Sequence, residues 1–251
     1  MAQIYMKERI TNQIFVNKDN YQDEYKFDIC QIIEELNKLP FDFYISGSLI
    51  CKFFFKEHSR YIKDIDIVTK CDLKEVESIF RKHFNVVEFV SGPISDIFFV
   101  QTFLCVIKIN DITIQIDGMK LDFLDEIEPQ IYKINDTSFK GAPIEYVIAT
   151  KIHGVLNKSK RPYKHLVDVY TASLLDKNLI DKNKIKNYLR IYYDHENKVR
   201  KMFKKPKNNL NFYMEKDKSF TGPIYLTTLQ ARHNISKEAM IEEVNKWLKT
   251  F

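Results

Sequence analysis

Only six glycines occur in the 251 residues, and they are scattered along the chain. That removes the dinucleotide fingerprint and the P-loop, both of which need several glycines in one short run so that backbone amides can approach phosphate. Any phosphate chemistry must therefore work through side chains and metal. The four cysteines, Cys30, Cys51, Cys71 and Cys105, lie far apart beside aliphatic or aromatic neighbours. None forms the close pairs of a zinc or redox site, and all four are expected as buried thiols. No run approaches the roughly 20 apolar residues of a membrane helix. Residues 1–20 carry mixed charges without an apolar signal core, so the expected location is the cytoplasm, with no membrane partner. Internal repeats and low-complexity linkers are missing as well.

What is present is the balance of a folded protein: 45 % hydrophobic, 29 % charged and 14 % aromatic residues, with chain enough for one large domain or two small ones. The charge is uneven. Between Lys182 and Lys207 ten lysines or arginines stand against Asp194 and Glu196, a net of +8, while the whole chain carries +5. Tyr188, Tyr192, Tyr193 and Phe203 are interleaved with those charges, a mixture suited to a phosphate backbone and stacked bases. A solvated helix with Ile185, Leu189, Tyr192 and Val199 facing a core accounts for the same segment.

Hydrophobic spacing divides the chain into an α/β first half and a helical second half. Residues 23–39 read as a helix stopped by Pro40, 41–46 as a strand, 47–56 as a short helix and 62–69 as a second strand. Asp72 is an N-cap for a helix to residue 82. Stretches 85–89, 97–109 and 112–117 are β-rich, with Asn110-Asp111 as a hairpin turn. Helices are expected over 143–156 and 162–175, each with a proline in its first turn. The basic segment forms a third helix broken at Pro206, residues 219–228 are irregular, and Ser236 caps a last helix with Met240, Val244, Trp247 and Leu248 on one side. The expected domains are 1–140, α/β, and 141–251, helical.

The chemistry concentrates in residues 43–69. In a strand, residues two apart point the same way, so Asp64 and Asp66 project from one face while Ile65 and Ile67 enter the core. Two carboxylates held side by side repel unless a divalent cation lies between them, and Mg²⁺ suits oxygen ligands and substrate phosphates. Upstream, Gly47-Ser48 follows a strand and opens a helix, where a glycine admits the backbone to a triphosphate and first-turn amides bond its oxygens. Downstream, Thr113 to Asp117 alternates as a strand ending in a carboxylate. Asp117 is the expected third ligand of a two-metal site, with Asp122 and Asp125 as rivals. Lys151 sits in the apolar stripe of its helix, where a cation needs a carboxylate or a phosphate, and Asp168 lies among Leu166, Val167, Val169 and Tyr170. A salt bridge between the two is the structural alternative. Arg60 and Lys63 flank the Asp-x-Asp strand and are expected to be solvated. The six histidines form no ligand-like cluster, with His153 and His165 as candidates to line the cleft.

The order strand, Gly-Ser, short helix, Asp-Ile-Asp-Ile resembles the nucleotidyltransferase superfamily related to DNA polymerase beta. Residues 149–156 (ATKIHGVL) and 161–170 (RPYKHLVDVY) are similar to the helical signature of its AbiEii/AbiGii branch, the toxin-like proteins of abortive-infection and toxin-antitoxin systems. The resemblance implies an α+β fold with a mixed sheet, flanking helices and a helical C-terminal half. It implies Asp64 and Asp66 on the metals, Gly47 and Ser48 on the triphosphate, and Lys151 and Asp168 in activity. The third carboxylate is chosen by context, with Asp117 expected to complete a site for two Mg²⁺ ions, Lys151 to neutralise the triphosphate, and Asp168 to orient Lys151 or position the acceptor. His165 departs from the acidic residue often found three before that aspartate. The implied reaction moves a nucleoside monophosphate from a nucleoside triphosphate to an acceptor hydroxyl. The expected acceptor is RNA, the end of a tRNA, held in part by Lys198, Arg200, Lys201 and Lys204, with an antitoxin protein as a further partner. A small-molecule enzyme of the aminoglycoside-modifying kind, or a non-catalytic nucleotide- or partner-binding protein, would share the fold.

Overall fold

The computed structural model describes residues 29–55, 64–94, 100–110, 112–156, 162–174, 179–202 and 236–250. The chain folds as two compact units, with the main boundary between Pro143 and Ile144.

The first unit is built on a seven-stranded mixed sheet in the order β3-β4-β5-β2-β1-β7-β6. The strands are β1 (Phe43–Ser46), β2 (Asp64–Thr69), β3 (Asn85–Ile94), β4 (Gln101–Ile109), β5 (Ile112–Lys120), β6 (Gln130–Ile134) and β7 (Thr137–Gly141). β2 runs parallel to β5 and β1 parallel to β7, while the other neighbours are antiparallel. Around it lie α1 (Ile29–Leu36), α2 (Gly47–Phe54) and α3 (Leu73–His83).

Alternation fixes which face is core. Ile65, Ile67, Ile114, Ile116, Cys105 and Ile107 are fully or almost fully buried, whereas Asp64, Asp66, Gln115, Asp117, Leu104 and Val106 on the opposite face are half-buried. Ile33 and Leu36 of α1, Leu49, Ile50 and Phe53 of α2, and Val76 and Phe80 of α3 complete the core. Phe80 packs against Phe41, Phe84 and Phe103, with ring centroids 5.5–6.3 Å apart. A second cluster joins Phe53 to Tyr132 at 5.0 Å and Tyr132 to Phe139 at 5.6 Å.

Several expectations change in detail. β3 runs on to Ile94 through a bulge between Val86 and Glu88, β5 continues past Asp117 to Lys120, and α1 ends at Leu36, before the turn that leads to Pro40. β6 and β7 add a hairpin that hydrophobic spacing does not predict; they meet at Asn135-Asp136, where Asn135 takes the left-handed φ of 52° that a tight hairpin needs. Cys51 and Cys105 are buried, but Cys30 and Cys71 are partly exposed, because Cys30 lies off the buried stripe of α1 and Cys71 follows the end of β2. Asp72 caps α3 as expected, accepting from the Lys74 amide at 2.9 Å.

The second unit contains α4 (Ile144–Leu156), α5 (Pro162–Ser173), α6 (Lys182–Met202) and α7 (Lys237–Leu248). α4 packs against α5 and α6, and α7 packs on α5. Ser236 caps α7 through the Ala239 amide at 3.1 Å. No described helix is long and apolar enough to cross a membrane. Residues 23–28, Arg60, Lys63, Arg161, Lys204, Pro206 and residues 219–228 lie outside the described residues, as do His58 and His233.

Phe80 has no exposed surface, so Phe80→Ala is expected to lower the unfolding free energy by about 3–5 kcal/mol, the usual cost of an emptied aromatic site. Urea denaturation followed by far-UV circular dichroism reads the loss.

Candidate functional site

The register of β2 against β5 sets the acidic face. In this parallel pair Asp66 lies beside Asp117 and Asp64 beside Gln115. Adjacent strands stand about 4.8 Å apart, so Asp66 and Asp117 are side-by-side carboxylates on one sheet face. Asp117 is an interior residue of its strand rather than its end. The two rivals lie elsewhere: Asp122 is exposed, and Asp125 is exposed and paired with Lys70.

On the other side of β2, Ser46 lies opposite Asp66. The chain then turns at Gly47, whose φ of 65° is left-handed, and enters α2. A side chain on Gly47 would overlap the Asp66 carboxylate, so this position needs glycine twice over, for its backbone and for the space. Ser46, the N-cap residue, makes no side-chain cap. Instead the Ser48 amide donates to Asp66 Oδ2 at 3.4 Å, a long bond. Ser46 and Ser48 are both buried. Asp117 is held differently, with Gln115 Nε2 donating to its Oδ1 at 2.9 Å. Gln115 escaped the sequence reading, although its place two residues before Asp117 in an alternating strand puts it on the same face.

An all-oxygen set of neighbouring carboxylates fits a hard divalent cation such as Mg²⁺. Among the described residues, no three aspartate, glutamate, histidine or cysteine side chains converge on a common point; Asp66 is engaged with Ser48 and Asp117 with Gln115.

The helical unit holds Lys151 and Asp168. Lys151 Nζ lies 3.5 Å from Asp168 Oδ2, and their side chains are 8 % and 1 % exposed. α4 has no polar face, so Glu145, Thr150, Lys151 and His153 are all buried and must find partners within the bundle. The Tyr146 and Tyr192 hydroxyls lie 2.6 Å apart, and Thr150 Oγ1 joins them, 3.2 Å from Tyr192 Oη. Burial pushes the Tyr192 phenol up to about 12. Glu145 accepts from the Asp181 amide at 3.2 Å, tying α4 to the start of α6.

His153 packs tilted against Tyr192, ring centroids 5.0 Å apart, and lies 3.6 Å from Glu196 Oε2. Burial lowers its pKa from 6.5 to about 4, which favours the neutral imidazole. Burial and packing fit His153 to a structural place in this bundle. The His165 ring occupies the space beside Gly154 that a side chain there would need, where α4 and α5 approach closely. The buried stripe of α6 is Ile185, Tyr188, Tyr192, Glu196 and Val199, and Lys184, Lys186, Arg190, Tyr193 and Lys198 lie outside it, exposed. Glu196 counts among the charges of that helix in the sequence, yet it is buried.

No protein-family model matches the chain, and no curated protein matches it. Among solved structures, JHP933 from Helicobacter pylori is similar over 100 % of this chain and 92 % of its own, at 11 % identity and a TM-score of 0.43. An antigenic nucleotidyltransferase-like protein from Paracoccidioides brasiliensis is similar over 73 % and 94 %, at 14 % identity and a TM-score of 0.42. The antibiotic-resistance factor ANT(2'')-Ia is similar over 69 % and 94 %, at 12 % identity and a TM-score of 0.44. At likenesses of that size the chemistry rests on the residues themselves.

His153 gives a signed pH dependence. Its folded-state pKa of about 4 lies below the unfolded value of 6.5, so the native state binds fewer protons across that interval. Its contribution is fully present above pH 6.5 and falls by about 1.4 kcal/mol per pH unit toward pH 4. Unfolding free energies measured from pH 7 to 4 should show that slope in the wild type and a shallower one in His153→Leu; equal slopes would place the titration elsewhere.

Proposed function

We propose that the chain is a Mg²⁺-dependent nucleotidyltransferase. The observation that carries this reading is the in-register placement of Asp66 beside Asp117, with Asp64 on the same face and the Gly47-Ser48 turn against Asp66. Carboxylates held so close are electrostatically costly unless cationic ligands are part of their function.

Asp64, Asp66 and Asp117 would hold the metal, whose contribution when bound is to neutralise charge on the reacting phosphate and to bring the acceptor oxygen and the α-phosphorus together. Gly47 and Ser48 supply the amino end of α2 to the β and γ phosphates. Asp117, its other oxygen bonded to Gln115, takes the proton of the incoming hydroxyl. The acceptor oxygen bonds to the α-phosphorus as the bond to pyrophosphate breaks, and pyrophosphate leaves. In the helical unit Lys151 lies 3.5 Å from Asp168; Lys151 would neutralise the triphosphate, and Asp168 would orient it.

The acceptor proposed is RNA, the end of a tRNA, in a toxin-like role that an antitoxin protein would restrain. The support is α6, which separates a buried stripe from an exposed face bearing Lys186, Arg190, Tyr193 and Lys198. Arg200 and Lys201 continue the helix; their side chains lie outside the described residues.

The test is incubation with each labelled nucleoside triphosphate, Mg²⁺ and total cellular RNA, with label expected in a nucleic-acid band. Label on a small molecule instead would make this an aminoglycoside-type enzyme, and no metal-dependent pyrophosphate release would leave a binding protein. Asp64→Ala should lower turnover by about 10²–10³-fold without changing the melting temperature, and Lys151→Ala should weaken use of the triphosphate; full activity in the first variant would remove the metal assignment.

Neutralising Lys198, Arg200, Lys201 and Lys204 together should flatten the salt dependence of RNA binding, by about one unit of log–log slope for each phosphate no longer neutralised, while nucleotide affinity holds. Filter binding between about 50 and 200 mM salt reads it, and an unchanged slope would make the segment a solvated face.

A further inference from the structure

Asp66 has two claims upon it. Its register beside Asp117 assigns it to the cation, yet its Oδ2 accepts the Ser48 amide at the amino end of α2. The surroundings favour that second engagement: Gly47 leaves the carboxylate a space that any side chain would fill, and the N-cap Ser46 leaves the cap to it. A carboxylate and a phosphate are both anions and both acceptors for that same N–H. They cannot share it.

We infer that Asp66 makes binding ordered. Without a divalent cation its carboxylate holds the amino end of α2, and a triphosphate gains the Ser48 amide only when Asp66 exchanges that amide for the cation shared with Asp117. The bond given up is long, 3.4 Å, and the bound cation would more than replace it. The inference rests on the function proposed above and adds to it that the metal precedes the nucleotide.

The test is calorimetric titration of the full chain with inorganic tripolyphosphate, in chelator and in Mg²⁺. Asp117→Ala is the control, because it deletes an equal charge one strand farther from α2, on a carboxylate held by Gln115. In chelator, Asp66→Ala should bind tripolyphosphate about tenfold more tightly than the wild type, and Asp117→Ala no more than about threefold. In Mg²⁺ the wild type should bind and Asp66→Ala should gain little over its own metal-free affinity. Asp66→Asn, which keeps the shape but loses the charge, repeats the comparison should the alanine variant fold poorly. A second readout needs no nucleotide: the Ser48 amide resonance should move when Mg²⁺ alone is added to the wild type, and stay in Asp66→Asn.

Equal tightening in the Asp66 and Asp117 variants, or wild-type binding as tight in chelator as in Mg²⁺, would overturn the ordering while leaving a nucleotide-binding protein. No binding of tripolyphosphate by the wild type with Mg²⁺ would overturn both the ordering and the function beneath it.

Discussion

The pairing of β2 with β5 is the constraint on which the site depends. Side chains along a strand alternate between faces, so a slip of one residue would turn Ile65 and Ile67 into solvent and drive Asp64 and Asp66 into the core. Ile65 and Ile67 on β2, with Ile114 and Ile116 on β5, are buried to within 2 % and make such a slip very unfavourable. The register that satisfies those isoleucines is the one that sets Asp66 beside Asp117. The carboxylates are therefore held together by the hydrophobic core on the far side of the sheet, against their own repulsion. An acidic face obtained this way needs no dedicated loop.

One glycine connects that face to the next element. Among six in the chain, Gly47 is the one at a left-handed φ among the described residues, and it is also where a Cβ would strike Asp66. Backbone conformation and carboxylate position are thus coupled at a single residue. The chain leaves β1, reverses at Gly47 and starts α2 with its first amides facing the acid on the neighbouring strand. The amino end of α2 and the Asp66 carboxylate are brought side by side, with the Ser48 amide donating to Asp66.

Much of this is legible in the sequence, for identifiable reasons. Period-two alternation in residues 64–69 and 113–117 marks both strands and the face of their acids, and Asp72 and Ser236 announce two helix starts. The β6–β7 hairpin escapes because its signal, Asn135-Asp136, is the same dipeptide that reads as a turn at residues 110–111, but its strands are only five residues long and the exposed Ile131 blurs the alternation of β6. Gln115 escapes because a search for charge passes over it, and an amide that orients a carboxylate carries none. The length of β5 is underestimated because Gly118 looks like a strand breaker; it is buried on the core face, where Phe103 fills the space a side chain would take.

The helical unit shows where residue counting misleads. Glu196 stands in the sequence as one of two acids opposing ten bases, yet it faces inward beside His153, so among the described residues of α6 only Asp194 is an exposed acid beside Lys184, Lys186, Arg190 and Lys198. Conversely Tyr188 and Tyr192, candidate stacking platforms by sequence, are buried against Tyr146, and only Tyr193 of the described tyrosines on α6 lies exposed among the cations. The surface offered to a phosphate backbone is therefore rich in charge and poor in aromatic area. Were it to meet a nucleic acid as proposed, such a surface would bind through counterion release more than through base stacking.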